Sequence, residues 1–200
     1  MLRLTSVLSL ILILIGCTEM KPSDFSGSTP QLVIEEYFAG ETVASGMFED
    51  RFGQVRRQFN VKIHGKWDGE QLILDEKFLY DDGERERRVW RIRKTGRNTY
   101  EGRADDVIGV ATGEVYGNAL NWQYEMDLRV ADGTWRVRFD DWMFLQPSGL
   151  LLNRAKVSKF GLEIGTVTLA FVKPSFRTNE VSELLNELQF ADAPRQAAFQ

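Results

Sequence analysis

Cysteine and histidine are almost absent from this chain: 200 residues hold one of each, Cys17 and His64. A single histidine excludes a multi-histidine zinc site and any mechanism built on paired histidines. A single cysteine excludes an internal disulfide framework. There is no basic excess either, with 25 Lys and Arg against 29 Asp and Glu and a net charge of −4. Nothing in that balance points to nucleic acid, and mild acidity is an ordinary soluble surface. Gly-x-Ser-x-Gly, the Walker loop and the Rossmann fingerprint are all missing. No Asp-x-Asp-x-Asp loop supports calcium, so no cofactor is expected. His64 shares a face with Lys62 and Asn60 and reads as exposed. Long apolar runs are missing too: Val7 to Ile15 falls short of the roughly 20 residues a spanning helix needs.

What stands at the end of that short run is informative. Leu14-Ile15-Gly16-Cys17 follows an apolar core and a single early charge, Arg3, and precedes a polar stretch from Thr18 to Thr29. This is the pattern of a bacterial lipoprotein signal. The expectation is removal of residues 1–16 and acylation of Cys17, which makes a membrane the partner and uses up the only thiol. Two or more acyl chains anchor stably where one is marginal. Thr18, in place of an aspartate, favours the periplasmic face of the outer membrane. Residues 17–30, with Pro22, Ser23, Ser26, Gly27, Ser28 and Pro30, read as a flexible tether.

Residues 31–190 read as one domain. Gln31 to Phe38 fits a helical turn or a strand. From Thr42 to Val172, short alternating segments are separated by turn signals every ten residues or so, as in sandwiches and barrels. Leu120, Trp122, Tyr124, Met126 and Leu128 alternate with polar partners, and Asp132-Gly133 is a favoured hairpin turn. Tight turns make sequence neighbours pair in space. The fold class is therefore all-β, an antiparallel meander of about eight to ten strands closed into a lipocalin-like barrel that leaves no open edge. Val181, Leu184, Leu185 and Leu188 add one C-terminal amphipathic helix. Residues 191–200 form a tail.

Two resemblances enter on specific residues. Gly46-Met47-Phe48-Glu49-Asp50-Arg51-Phe52-Gly53, Gly102-Arg103-Ala104-Asp105-Asp106-Val107, Gly117-Asn118-Ala119-Leu120, Asp140-Asp141-Trp142-Met143, Asn153-Arg154 and Lys159-Phe160-Gly161 resemble the domain-of-unknown-function 3833 family of bacterial lipoproteins. That family implies no particular activity. Tyr37-Phe38-Ala39-Gly40 is similar to the segment that leads into a lipocalin barrel, although Gly40-Glu41-Thr42 has threonine where lipocalins carry a tryptophan. By analogy with lipocalins, Arg154 would close the barrel end against an aromatic ring.

Candidate site residues follow from the strand faces. Arg88 shares a face with Trp90 and Ile92 and could hold an acidic headgroup, since a guanidinium matches a carboxylate bidentately. Arg154 is the second such candidate. Trp90, Trp122, Tyr124 and Trp142 could line a cavity or fill the core. Asp105-Asp106 and Asp140-Asp141 are paired carboxylates, suited to turn chemistry or, if they converge, to acid/base work. The leading expectation is a lipid-anchored barrel binding or carrying an apolar molecule, such as a fatty acid or modified lipid. Enzymatic activity stays open as the less favoured reading, and an enzyme acting on lipids would need the four aspartates to converge. The alternative is a structural or assembly lipoprotein with a filled barrel.

Overall fold

The computed structural model describes residues 19–130 and 133–174. Ten strands follow one another in order: β1 (Gly40–Asp50), β2 (Val55–Trp67), β3 (Gln71–Tyr80), β4 (Arg85–Lys94), β5 (Thr99–Arg103), β6 (Val107–Tyr116), β7 (Ala119–Val130), β8 (Gly133–Leu145), β9 (Leu151–Lys159) and β10 (Leu162–Val172). Each pairs antiparallel with its sequence neighbours, and β10 pairs with β1, so the meander closes into a barrel. The expected fold class is the observed one. Cys17, the signal segment, the helix expected around Val181–Leu188 and the tail lie outside the described residues.

Alternation sets which way each side chain points. In β2, Val61, Ile63 and Gly65 are buried while Lys62, His64 and Lys66 are exposed. In β9, Leu151, Asn153, Ala155 and Val157 are buried while Leu152, Arg154 and Lys156 are exposed. Successive residues of a strand face opposite sides of the sheet, so this period-two pattern becomes a barrel interior and a barrel exterior.

The barrel has unlike ends. One end is plugged by α1 (Ile34–Tyr37) and the residues around it. Leu32, Ile34 and Phe38 are buried, and the Phe38 ring stands edge-on to Phe171 with centroids 5.8 Å apart. Polar staples hold the plug. Tyr37 donates its hydroxyl to the Phe171 carbonyl at 3.1 Å, and burial pushes its pKa up to about 12. Tyr100 and Lys94 both donate to Glu35, at 2.9 and 2.8 Å. Lys173, at the end of β10, donates to the Ala39 carbonyl at 2.7 Å and to the buried Thr42 hydroxyl at 3.2 Å. The cation that closes this end is therefore Lys173 over Thr42; Arg154 lies on the outer wall instead. The segment expected to be loose tether is laid against that wall from Lys21 onward. Pro22–Phe25 forms a 3-10 turn, and Phe25 packs on Phe144 and Trp142 with centroids 5.3 and 6.0 Å apart.

At the opposite end are the β1–β2, β3–β4, β5–β6 and β9–β10 turns. The ladder between β4 and β5 stops at Arg91 opposite Arg103, short of this end. From there upward, β4 is joined to the turn after β5 by an ion pair between Arg88 and Asp106.

Gly65 lets the plug seat. A Cβ there would overlap the Phe38 carbonyl, a backbone group that cannot swing aside. Gly65→Ala is expected to destabilise the barrel by about 1–3 kcal/mol, the usual cost of overpacking. Thermal unfolding of the variant checks this, as a fall of several degrees in Tm.

Candidate functional site

The interior is hollow. A cavity of about 690 Å³ runs from Ile34 and Phe38 at the plug to Arg56, Arg57 and Arg129 at the other end. Arg56 and Arg129 are exposed, so that end is a mouth open to water. Most of the lining is apolar. Trp90 and Trp122 meet edge-on with centroids 5.7 Å apart, and Tyr124 stacks on Phe139 at 4.8 Å. Gly102 and Gly113 lie flat under Trp122; a methyl on either would overlap its ring. Phe48, Phe59, Phe78, Val167 and Leu169 line the cavity further along.

A polar band crosses this apolar wall. Glu76, Arg88, Tyr124, Asp141 and Asn153 all line the cavity. Cross-strand pairing puts Glu76 opposite Arg88, and Asp141 faces inward with Val137 and Phe139 of the same strand. Arg88 donates Nε to Asp106 at 2.8 Å and lies over the Phe78 ring at 5.3 Å. Burial opposes the charge on Arg88, yet Glu76, Tyr124 and Asp106 outweigh it and hold the cation firmly. Burial raises Glu76 to about 7 despite Arg88. It raises Asp141 to about 7 as well, against the hydrogen bond from Asn153 and with the help of Asp140 and Glu76. The Tyr124 hydroxyl is raised by burial first and by Asp141 next, so it stays protonated. Asn153 Oδ1 in this band is buried without a hydrogen-bond partner, as are Asp106 Oδ1 behind Arg88 and the donor Arg57 Nε towards the mouth. A buried acceptor left unpaired costs free energy that a donor from a ligand would return.

Several residues singled out in the sequence meet here and several do not. Arg88, Trp90, Trp122 and Tyr124 line the cavity. Trp142 does not: it faces outward beneath Phe25, in register with Arg154, which is exposed on the same outer wall. The four aspartates do not converge. Asp105 is exposed, Asp106 is bound to Arg88, and Asp140 accepts from Asn121 on the outer wall at 2.7 Å. Only Asp141 enters the cavity. Adjacent residues of a strand point to opposite faces, so Asp140-Asp141 could never act as a pair. The residue that sequence reading passed over is Glu76. Its signal was present, because it interrupts the apolar face Leu72, Leu74, Phe78 and Tyr80.

A plugged, hollow antiparallel barrel with a polar band inside is a lipocalin-like architecture. Residues 11–173 match the model of the family described as "protein of unknown function (DUF3833)", and the chain belongs to that family. No curated protein matches it. Among solved structures, the S-type phycobiliprotein lyase CPES from Guillardia theta is similar, with a TM-score of 0.48 and 8% identity over 68% of this chain and 87% of that one.

The two raised carboxyls set a pH dependence. Each binds its proton more tightly in the folded chain than in the unfolded chain, where an acid of this type titrates near 4. The folded state then loses relative stability as pH rises from about 4 to about 7, and the loss is complete above that. Tm is expected to fall between pH 5.5 and pH 8.5. Glu76→Gln is expected to raise Tm at pH 8.5 and to flatten the profile, as read by circular dichroism melts across that range.

Proposed function

We propose that this chain is a membrane-tethered carrier that binds one lipid-sized molecule inside its barrel. The observation that carries this reading is the cavity itself. Its volume falls within the roughly 300–1,000 Å³ of small-molecule sites, and its mix of apolar wall with few polar groups is theirs also. A structural lipoprotein with a filled barrel is the less favoured reading, because these side chains leave the interior hollow.

The polar band narrows the chemistry of the ligand. Arg88 is already engaged by Asp106 and faces Glu76, so a fatty-acid carboxylate brought to it would meet other carboxylates. The other groups of the band are mostly acceptors, Asn153 Oδ1 and the carboxyls of Glu76 and Asp141, beside the Tyr124 hydroxyl, which can donate or accept; the unpartnered donor Arg57 Nε lies nearer the mouth. The acceptors favour a hydrogen-bond donor, such as the hydroxyl or amide of a modified or neutral lipid, with its hydrocarbon against Trp90, Trp122 and Phe78. A fatty acid fits this band when its carboxyl is protonated. The expected ranking at pH 8 is a long-chain alcohol or monoacylglycerol above the acid of equal length by at least tenfold, with the gap narrowing at pH 5.5. Displacement of a fluorescent lipid, or quenching of Trp90 and Trp122, measures it. Leu169→Trp, which puts an indole into the cavity, should weaken every such ligand. Equal affinity for acid and alcohol at pH 8 would remove the donor reading, and no saturable binding of any lipid would remove the carrier.

The tether rests on Leu14-Ile15-Gly16-Cys17. Metabolic labelling with palmitate in a bacterial host should mark the chain, and Cys17→Ser should abolish the label. Fractionation of that host would place the labelled chain with the outer membrane on this reading.

A further inference from the structure

We infer that the rim of the mouth is a lipid-docking surface that dips into an anionic bilayer. Among the described residues, exposed large apolar side chains gather at this rim. Phe160 is 93% exposed, Phe52 74%, Leu162 66%, Val55 49% and Trp135 40%. They come from the β1–β2 turn, the β9–β10 turn and the start of β8, and these are neighbours: β1 pairs with β10, β10 with β9, and β9 with β8. The Arg51 amide donates to the Ile164 carbonyl at 3.0 Å, fixing the first turn beside the strand that follows the second.

Phe160 makes the case that this is more than incidental exposure. The two-residue turn Phe160-Gly161 has both φ values in the left-handed region, at 52° and 78°. Asparagine and glycine are favoured there, and a bulky residue at positive φ is strained. The Phe160 ring recovers nothing by burial, so folding gives no reason for its presence. A large apolar ring held at the tip of a turn is suited to entering another apolar phase.

The charges around these tips select the occupant. Lys159 Nζ lies 3.6 Å from the centroid of Trp135 and 5.5 Å from that of Phe160, and Arg51 lies over Phe52 at 4.8 Å. Aromatic and aliphatic tips interleaved with Lys and Arg are the pattern of membrane interfaces. Among the described residues, the acidic groups of the rim are engaged, as Asp50 is by Arg56 and Asp82 and Glu84 are by Arg57, or lie away from these tips, as Asp81 does on the β3–β4 turn and Asp105 on the β5–β6 turn. Glu163, next to Leu162, and Glu49, next to Asp50, are the carboxylates beside the tips for which no ion pair forms among the described residues. Separate tips on protruding turns suit a layer of headgroups, which parts around each one. A flat protein face would not accommodate them. The cavity opens within this ring of turns, so a hydrocarbon could pass between bilayer and barrel without crossing water. That last consequence rests on the carrier reading; docking itself does not.

The test uses the chain from residue 17 with Cys17→Ser, since the barrel closes entirely within residues 40–172. It is sedimented with vesicles of phosphatidylglycerol and phosphatidylethanolamine, and with vesicles of phosphatidylcholine alone. Binding is expected on the anionic vesicles and at least tenfold weaker on the neutral ones. The double variant Phe52→Ser, Phe160→Ser should lose at least tenfold on anionic vesicles. Lys159→Glu should lose severalfold, and Leu152→Ser, on the outer wall, should lose nothing. No binding, or binding that the double variant retains, overturns the proposal. So does a rim that governs self-association in sedimentation velocity without holding vesicles, for it would then be an interface between copies. Lipid binding in solution, measured on the same proteins, tells a failure of docking from a failure of the carrier.

Discussion

A barrel of ten strands encloses more space than its inward side chains can fill. Eight strands leave a bore that side chains just occupy, and diameter grows with strand number. The rest of the molecule follows from that constraint. The floor needs a separate plug, so Ile34 and Phe38 are brought in from outside the sheet and stapled through Tyr37, Glu35 and Lys173. The largest inward rings need small neighbours, so Trp122 lies over Gly102 and Gly113. The remainder stays empty and runs to the mouth.

An empty, mostly apolar space changes the chemistry of the few polar groups that face it. Glu76 and Asp141 would be ordinary carboxylates on the outer wall. Inside, desolvation is the largest influence on both, and it is strong enough to hold a proton near neutrality even with Arg88 opposite Glu76. Arg88 stays charged because Glu76, Tyr124 and Asp106 together outweigh its burial. The band is thus a set of hydrogen-bonding groups in which two carboxyls keep their protons to near neutrality beside a guanidinium that stays charged.

The barrel could be read in the sequence because alternation survives in nearly every strand. Leu120 through Leu128 and Val61 to Ile63 told inside from outside without ambiguity. Arg88 could be placed for the same reason, by its spacing from Trp90 and Ile92. Reading failed where alternation was interrupted or was not applied. Trp142 was assigned by residue type, although strict alternation from Val137 and Phe139 sends it outward. Leu150-Leu151-Leu152 hides the phase of β9, so Arg154 could not be told from Asn153. Glu76 was lost because a charge on an apolar face looks like a defect of the pattern, although here it is a cavity-lining residue. The docked 3-10 turn was hidden as well: its composition is that of a linker, and only Phe25 hints that it packs.

One stretch of wall is unlike the others. Between β4 and the chain after β5, the backbone ladder gives way to the contact of Arg88 with Asp106, while the Asp106 carbonyl accepts from the Asp127 amide on β7. Ladders open cooperatively, several hydrogen bonds at a time, whereas an ion pair opens alone and is screened once water and salt reach it. Local opening has its lowest free energy where such bonds are fewest. Local opening of the barrel is therefore expected along this line before the fully laddered ones. There the wall is held by side chains rather than by backbone, so closure of the barrel depends at that point on Arg88, a residue that also faces the interior.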